Sequence, residues 1–176
     1  MHAMSYARAA LRFLDDQIEY ILIIVLFTYF LFIITLEVIL RYGFNSSTIV
    51  GEETARHAFI WMSWVAASQA AKKRVHISIS VIDRYLSPRM LYVMAYIYNG
   101  LFILLCLVGI KYVWVFVDVH YRYGTLAVAA RYPVFLVYLA VPIGYGLMII
   151  RVVQNMMIDY RDLKAGRPIR QGMAMF

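Results

Sequence analysis

Five charged residues gather within twenty positions of one another: Glu37, Arg41, Glu52, Glu53 and Arg56. Glu37 and Arg41 are four apart in the favourable acid-first order for a helix, and Glu52, Glu53 and Arg56 repeat the i,i+3 and i,i+4 spacing. Between them, Tyr42-Gly43-Phe44-Asn45-Ser46-Ser47 carries the Gly, Asn and Ser of a tight turn, so the two charged groups are expected to meet across a hairpin. A charge close to hydrocarbon is costly unless paired, which makes an intrahelical Glu37–Arg41 pair the minimum explanation. Three roles stay open for the cluster: a structural tie that satisfies its own charges, a contact surface for another protein, or a proton or ion path.

Other chemistry has less to work with. The histidines are His2, His57, His76 and His120, and the single cysteine is Cys106, so neither an intramolecular disulfide nor a paired-thiol metal site can form. His57 and His120 are the pair that a haem ligated from two helices would use. There is no phosphate-binding glycine loop, no HExxH, and no supported Ser-His-Asp set. No enzyme and no resident cofactor is expected.

The elements that must position the cluster follow from composition. Of 176 residues, 64% are apolar and 15% charged, and the mean hydropathy is +0.71. A body this small cannot hide that much apolar surface, so the bilayer is the main solvent and a soluble catalytic domain is excluded. The expected fold is an all-α integral membrane protein, one membrane domain over residues 1–176 with spans at about 18–40, 53–71, 91–119 and 134–153. The second is the least apolar, diluted by Ser63, Ser68 and Gln69, yet Glu52 and Glu53 in its first turn and its run of alanines favour a helix. Ser63, Ala67 and Ala71 give it a small-residue stripe suited to close packing in lipid.

Lys and Arg are retained on the cytoplasmic side, and most of the 17 lie before span one, between spans two and three, or after Arg151. Both termini are therefore expected in the cytoplasm, in agreement with an even number of spans, which requires both on one side. That topological distribution accounts for the net charge of +7 without nucleic acid. Between spans two and three, Ser80 and Asp83 resemble a capping box and Val81, Ile82, Tyr85 and Leu86 share a face, so a short interfacial helix is expected over about 77–86. Pro142 leaves the Tyr138 carbonyl without its usual partner, which predicts a bend in span four, either a hinge or a static kink. Lys111, eight residues before the end of span three, is either a snorkelling interfacial anchor or half of a buried ion pair, with an acid on a partner chain as one source. Glu19, five turns before Glu37, puts a second carboxylate on the same side of span one.

The stretch Glu37-Val38-Ile39-Leu40-Arg41-Tyr42-Gly43-Phe44-Asn45, then Glu52-Glu53, Arg56, Phe59, Trp61 and His76-Ile77, resembles the small membrane subunit (DctQ-like) of tripartite ATP-independent periplasmic (TRAP) transporters. The similarity runs over roughly Asp15 to Arg151 and includes Tyr138–Gly144. One departure is Ala66-Ala67, where the family commonly has Gly-Ala. The resemblance implies a non-catalytic, multi-pass protein of the bacterial inner membrane with both termini cytoplasmic. It would be a scaffold for a large multi-span subunit in a sodium-coupled importer of an organic acid (a C4-dicarboxylate, sialic acid or similar). A periplasmic substrate-binding protein would be the further partner, besides membrane lipids. It also marks Glu37, Arg41, Asn45, Glu52, Glu53, Arg56, Trp61 and His76 as structural or partner-interface residues. The rival from another class is a four-helix anchor subunit of a redox complex, binding haem b or quinone.

Overall fold

Local sequence favours helix almost throughout, because long apolar runs in lipid must satisfy their backbone groups internally. A computed structural model describes residues 2–46, 48–73 and 88–165, with side chains over 17–46, 48–73 and 90–165. Those residues form five helices: α1 (His2–Gly43), α2 (Ile49–Lys72), α3 (Pro88–Arg122), the single turn α4 (Phe135–Tyr138) and α5 (Ala140–Lys164). The expected interfacial helix over 77–86, His76, and the ends of the basic tail lie outside the described residues. Among the described residues, three segments are long and apolar enough to cross a membrane: Gln17–Gly43, Met90–Arg122 and Phe135–Lys164. They correspond to the first, third and fourth of the expected spans; α2 does not reach that apolarity.

Contacts at both ends of each helix fix the order. Near one end Glu19 meets Ser68, and near the other Glu37 meets Thr48, so α1 and α2 run antiparallel. Trp64 of α2 packs on Gly144 and Tyr145 of α5, and Asn155 reaches the carbonyl of Ala71, so these two helices run parallel. Tyr96 donates to the Met156 carbonyl at 3.2 Å while Tyr121 packs on Phe135, so α3 and α5 are antiparallel. The helix backbones thus form a row, α1–α2–α5–α3, in which α1 packs along α2 and α3 along α4 and α5; one long side chain, Arg151, reaches from α5 to Glu19 of α1. It is an open row and not a closed bundle. The buried core accordingly sits at the α2–α5–α3 seam, around Ala71, Cys106, Met148 and Val152, and both edge helices leave most of their apolar surface outside.

Two local features explain the seam. Pro142 cannot donate to the Tyr138 carbonyl, and the helix is interrupted one residue further on, at Leu139, before α5 resumes. Gly144 lets α2 approach closely: a Cβ there would lie 2.8 Å from the Cβ of Trp64. Trp64 thus packs directly on Gly144, while Ala71 and Ala67 of the small-residue stripe pack in the core. Ser63, the first member of that stripe, is exposed and donates back to the Phe59 carbonyl at 2.8 Å.

Gly144 and Gly146 provide a matched test, since a Cβ at Gly146 meets nothing within 4 Å. Gly144→Leu should lower stability in detergent by about 1–3 kcal/mol through overpacking, with Gly146→Leu much closer to the parent. Thermal unfolding of the two purified variants reads the difference; equal melting temperatures would contradict this packing.

Candidate structural and partner-interface site

The hairpin joining α1 to α2 begins with a helix stop. Asn45 takes φ 52°, a left-handed conformation that asparagine tolerates, and the Ser46 amide closes back on the Leu40 carbonyl at 3.0 Å. Thr48 then caps α2 from an extended conformation, its side chain accepting from the Gly51 amide. Glu37 reaches across to this cap. Its carboxylate accepts from the Thr48 amide at 2.9 Å and from the Thr48 hydroxyl, beside the N-terminus of α2 where negative charge is favoured. Gly51 makes room for it, since any Cβ there would collide with the Glu37 carboxylate.

Glu37 is therefore secured by Thr48, and Arg41 instead forms a salt bridge with Glu52 across the turn. This replaces the expected intrahelical Glu37–Arg41 pair. The reason is geometric: the hairpin brings the amide and hydroxyl of Thr48, at the α2 N-terminus, directly beside Glu37, and brings Glu52 within reach of Arg41. Arg41 and Glu52 are 49% and 48% exposed, so their pair belongs to the class that typically contributes about 1 kcal/mol or less.

Glu53 does more. Buried on α2, it accepts three successive backbone amides from the α3–α4 loop: Val128 at 2.9 Å, Ala129 at 2.9 Å and Ala130 at 2.8 Å. Consecutive amides turned inward make a concave anion receptor, and here the anion is the protein's own carboxylate. The loop is shaped for this by Gly124 and Arg131 in left-handed conformations and by the Leu126–Pro133 bridge, with Ala127 donating to the Tyr132 carbonyl at 2.8 Å. One turn after Glu53, His57 Nδ1 meets the Tyr132 hydroxyl, which donates to it when the imidazole Nδ1 is unprotonated. Burial, and then the charge of Glu53, push the Tyr132 phenol above its ordinary pKa, so it stays neutral and available as a donor. Arg56 is exposed, and Trp61 is partly buried on α2.

The opposite end of the row holds a second tie. Arg151 of α5 places Nε and Nη2 at 2.9 and 2.7 Å from Oε1 of Glu19, and both side chains are buried. Ser68 of α2 donates to the same oxygen at 3.4 Å, and Arg151 Nη1 donates to Gln154 at 2.9 Å. Asn155 adds a bond to the C-terminal carbonyl of Ala71 at 3.1 Å. Three helices are thus joined through one carboxylate. Sequence alone assigns Arg151 to the basic tail; its partner lies 132 positions away, and only the helix row brings the two together.

Of the candidate residues, Glu37, Arg41, Asn45, Glu52 and Glu53 take part in the hairpin and the loop clamp. His76 lies outside the described residues. Thr48, Ser68, Val128–Ala130, Tyr132 and Arg151 join the two ties without a recognisable motif of their own; the nearest signal for Arg151 is a charge terminating an apolar run.

A family model for the DctQ component of tripartite ATP-independent periplasmic transporters matches residues 30–162. The chain belongs to this family. A relative in Haemophilus influenzae, named as a TRAP transporter small permease protein, is 30% identical over 108 residues, 61% of this chain and 66% of the relative. In Oleidesulfovibrio alaskensis, a protein named as the isethionate TRAP transporter permease protein DctMQ is 27% identical over 132 residues, 72% of this chain and 21% of that one. The chain thus spans under two thirds of the length of either relative. As a DctQ-family protein it is a multi-pass membrane component of a transporter, not an enzyme, and the redox-anchor reading gains no support.

Both ties can be tested directly. Replacing Glu53 by Ala leaves three loop amides without their acceptor, so hydrogen exchange at Val128, Ala129 and Ala130 should accelerate at least tenfold while α2 itself stays protected. Unchanged exchange would show that the clamp does not order the loop. Arg151→Met strands Glu19 and should destabilise the protein by about 3–5 kcal/mol, whereas the double variant Glu19→Met with Arg151→Met should recover most of the loss. Denaturation of the four proteins completes that cycle.

Proposed function

We propose that this chain is the small, site-free scaffold subunit of a sodium-driven importer of an organic acid, in the bacterial inner membrane. It spans four times with both termini cytoplasmic, beside a large multi-span subunit that moves sodium and substrate. A periplasmic binding protein supplies that substrate. The observation that carries the scaffold reading is the pair of ties at the two ends of the helix row. Glu53 holds the α3–α4 loop to α2, and Glu19 with Arg151 joins α1, α2 and α5. A unit fixed at both ends resists the relative helix movements that a transport cycle needs, and suits a support beside a moving part.

The way α2 is held supports reading it as the fourth span. Its 24 residues extend about 36 Å, enough for the hydrocarbon, and it runs beside α1 and α5 from the Glu37 end to the Glu19 end. A helix held along two crossing neighbours is placed to cross with them, which favours the fourth span. Part of its low apolarity comes from Glu53 and Ser68, whose polar groups bond to neighbouring elements. The fused DctMQ relative favours a large membrane partner, because the matched region occupies only 21% of that chain. Its name refers to isethionate, a small organic anion, within the class proposed for the substrate of this transporter.

Reconstitution of the chain with its large subunit and binding protein into vesicles tests the proposal. Uptake of organic acids screened as a panel should require an inward sodium gradient and fall at least tenfold when this chain is omitted. Full uptake by the large subunit alone would refute the scaffold role, and uptake indifferent to sodium would refute the coupling.

A further inference from the structure

Read along its own helix, Lys111 looks interfacial: a slab over residues 91–110 of α3 contains no charge and would end beside it. The packing of α3 on α5 excludes that slab. Tyr96 pairs with Met156, Gly109 with Tyr145 and Tyr121 with Phe135, so 91–110 of α3 lies level with roughly 143–162 of α5. That stretch contains the Arg151 tie, Asp159, Asp162 and the exposed Arg161. Hydrocarbon must lie on the other side of Arg151, which on α3 is level with about Phe102. Lys111 then stands nine residues, about 14 Å, inside one limit and eleven residues, about 16 Å, from Arg122 at the other end of α3. It is near the middle of a slab about 30 Å thick.

At that depth the lysine is exposed on the side of α3 turned away from α5, among the exposed Leu104, Leu107, Val108, Trp114 and Val115. A four-carbon stem covers about half the distance to either boundary. Helical side chains lean toward the helix N-terminus, which directs Lys111 over Leu107 and Leu104 rather than toward water. Asp118, two turns on in the other direction, already pairs with Arg122 at 2.8 Å. No ion-pair partner for Lys111 is present among the described residues. Lipid tails offer no counter-charge, and an unpaired ammonium at mid-depth is strongly disfavoured.

We propose that the Lys111 face of α3 is the surface that docks the large transporter subunit, with Lys111 paired to a carboxylate on one of that subunit's membrane helices. This rests on the small-subunit reading above. Charge complementarity selects the occupant: a protein helix can bring a carboxylate to this depth, and a lipid phosphate cannot.

The test uses the full chain expressed with the large subunit of its own transporter. Photo-reactive benzoylphenylalanine at Val108 and, separately, at Val115 leaves the lysine intact; both should give adducts with the large subunit, identified by mass spectrometry. Lys111→Glu should reduce the co-purified large subunit at least tenfold, with Lys111→Arg retaining it. Adducts with lipid alone, or with a second copy of this chain, while the two subunits still co-purify, would overturn the Lys111 assignment and leave the small-subunit reading standing. Undiminished association of Lys111→Glu would do the same. Failure of the unmodified chain to co-purify with the large subunit would bring down both.

Discussion

A carboxylate near hydrocarbon must find donors, and in this chain the search for donors builds the fold. Glu37 takes the Thr48 cap and thereby folds α2 back along α1. Glu53 takes three amides of the α3–α4 loop and so fixes where α3 ends relative to α2. Glu19 takes Arg151 and Ser68 and joins three helices at the far end. In water each of these acids would gain little from its partner. Close to lipid the alternative is an unsatisfied charge, and the preference for the paired arrangement becomes steep.

An arrangement held by its ends does not need a closed bundle. Apolar burial supplies no drive for helix association in lipid, so the four long helices gain nothing from wrapping into a compact core. They line up in a row, with close approaches where Gly144 admits Trp64 and Gly109 faces Tyr145. The consequence is two long apolar edges, α1 and α3, available to lipid or to another protein. That shape fits membership of the DctQ family, whose fused relative joins the same unit to a much longer chain.

Several residues show how far the sequence can be read. Spacing alone identified the Glu37–Arg41 and Glu52–Glu53–Arg56 group, because i,i+4 relations and a Gly-Asn-Ser turn are local. Partners across the turn were partly legible: Glu52 meets Arg41, but Glu37 prefers Thr48, whose competing value depends on the helix terminus it caps. Glu53 was legible as a member of that group, but its partners were not, since backbone amides of Val128–Ala130 carry no sequence signature. Arg151 looked topological for the same reason: Glu19 is 132 positions away, and no local rule connects them.

The sequence by itself determined the solvent, the helical class and the family resemblance, since these depend on composition, on runs of apolar residues and on short motifs. The long spans at 18–40, 91–119 and 134–153 follow from the same counting. Relative depth was decided only by tertiary structure. A helix of 35 residues can slide in a bilayer by several turns without changing its own hydropathy, and contacts with a neighbour fix its height. For Lys111 that register is the whole difference: hydropathy along α3 alone would put it at an interface, and the register with α5 underlies the mid-depth reading proposed for it, on a face exposed among the described residues.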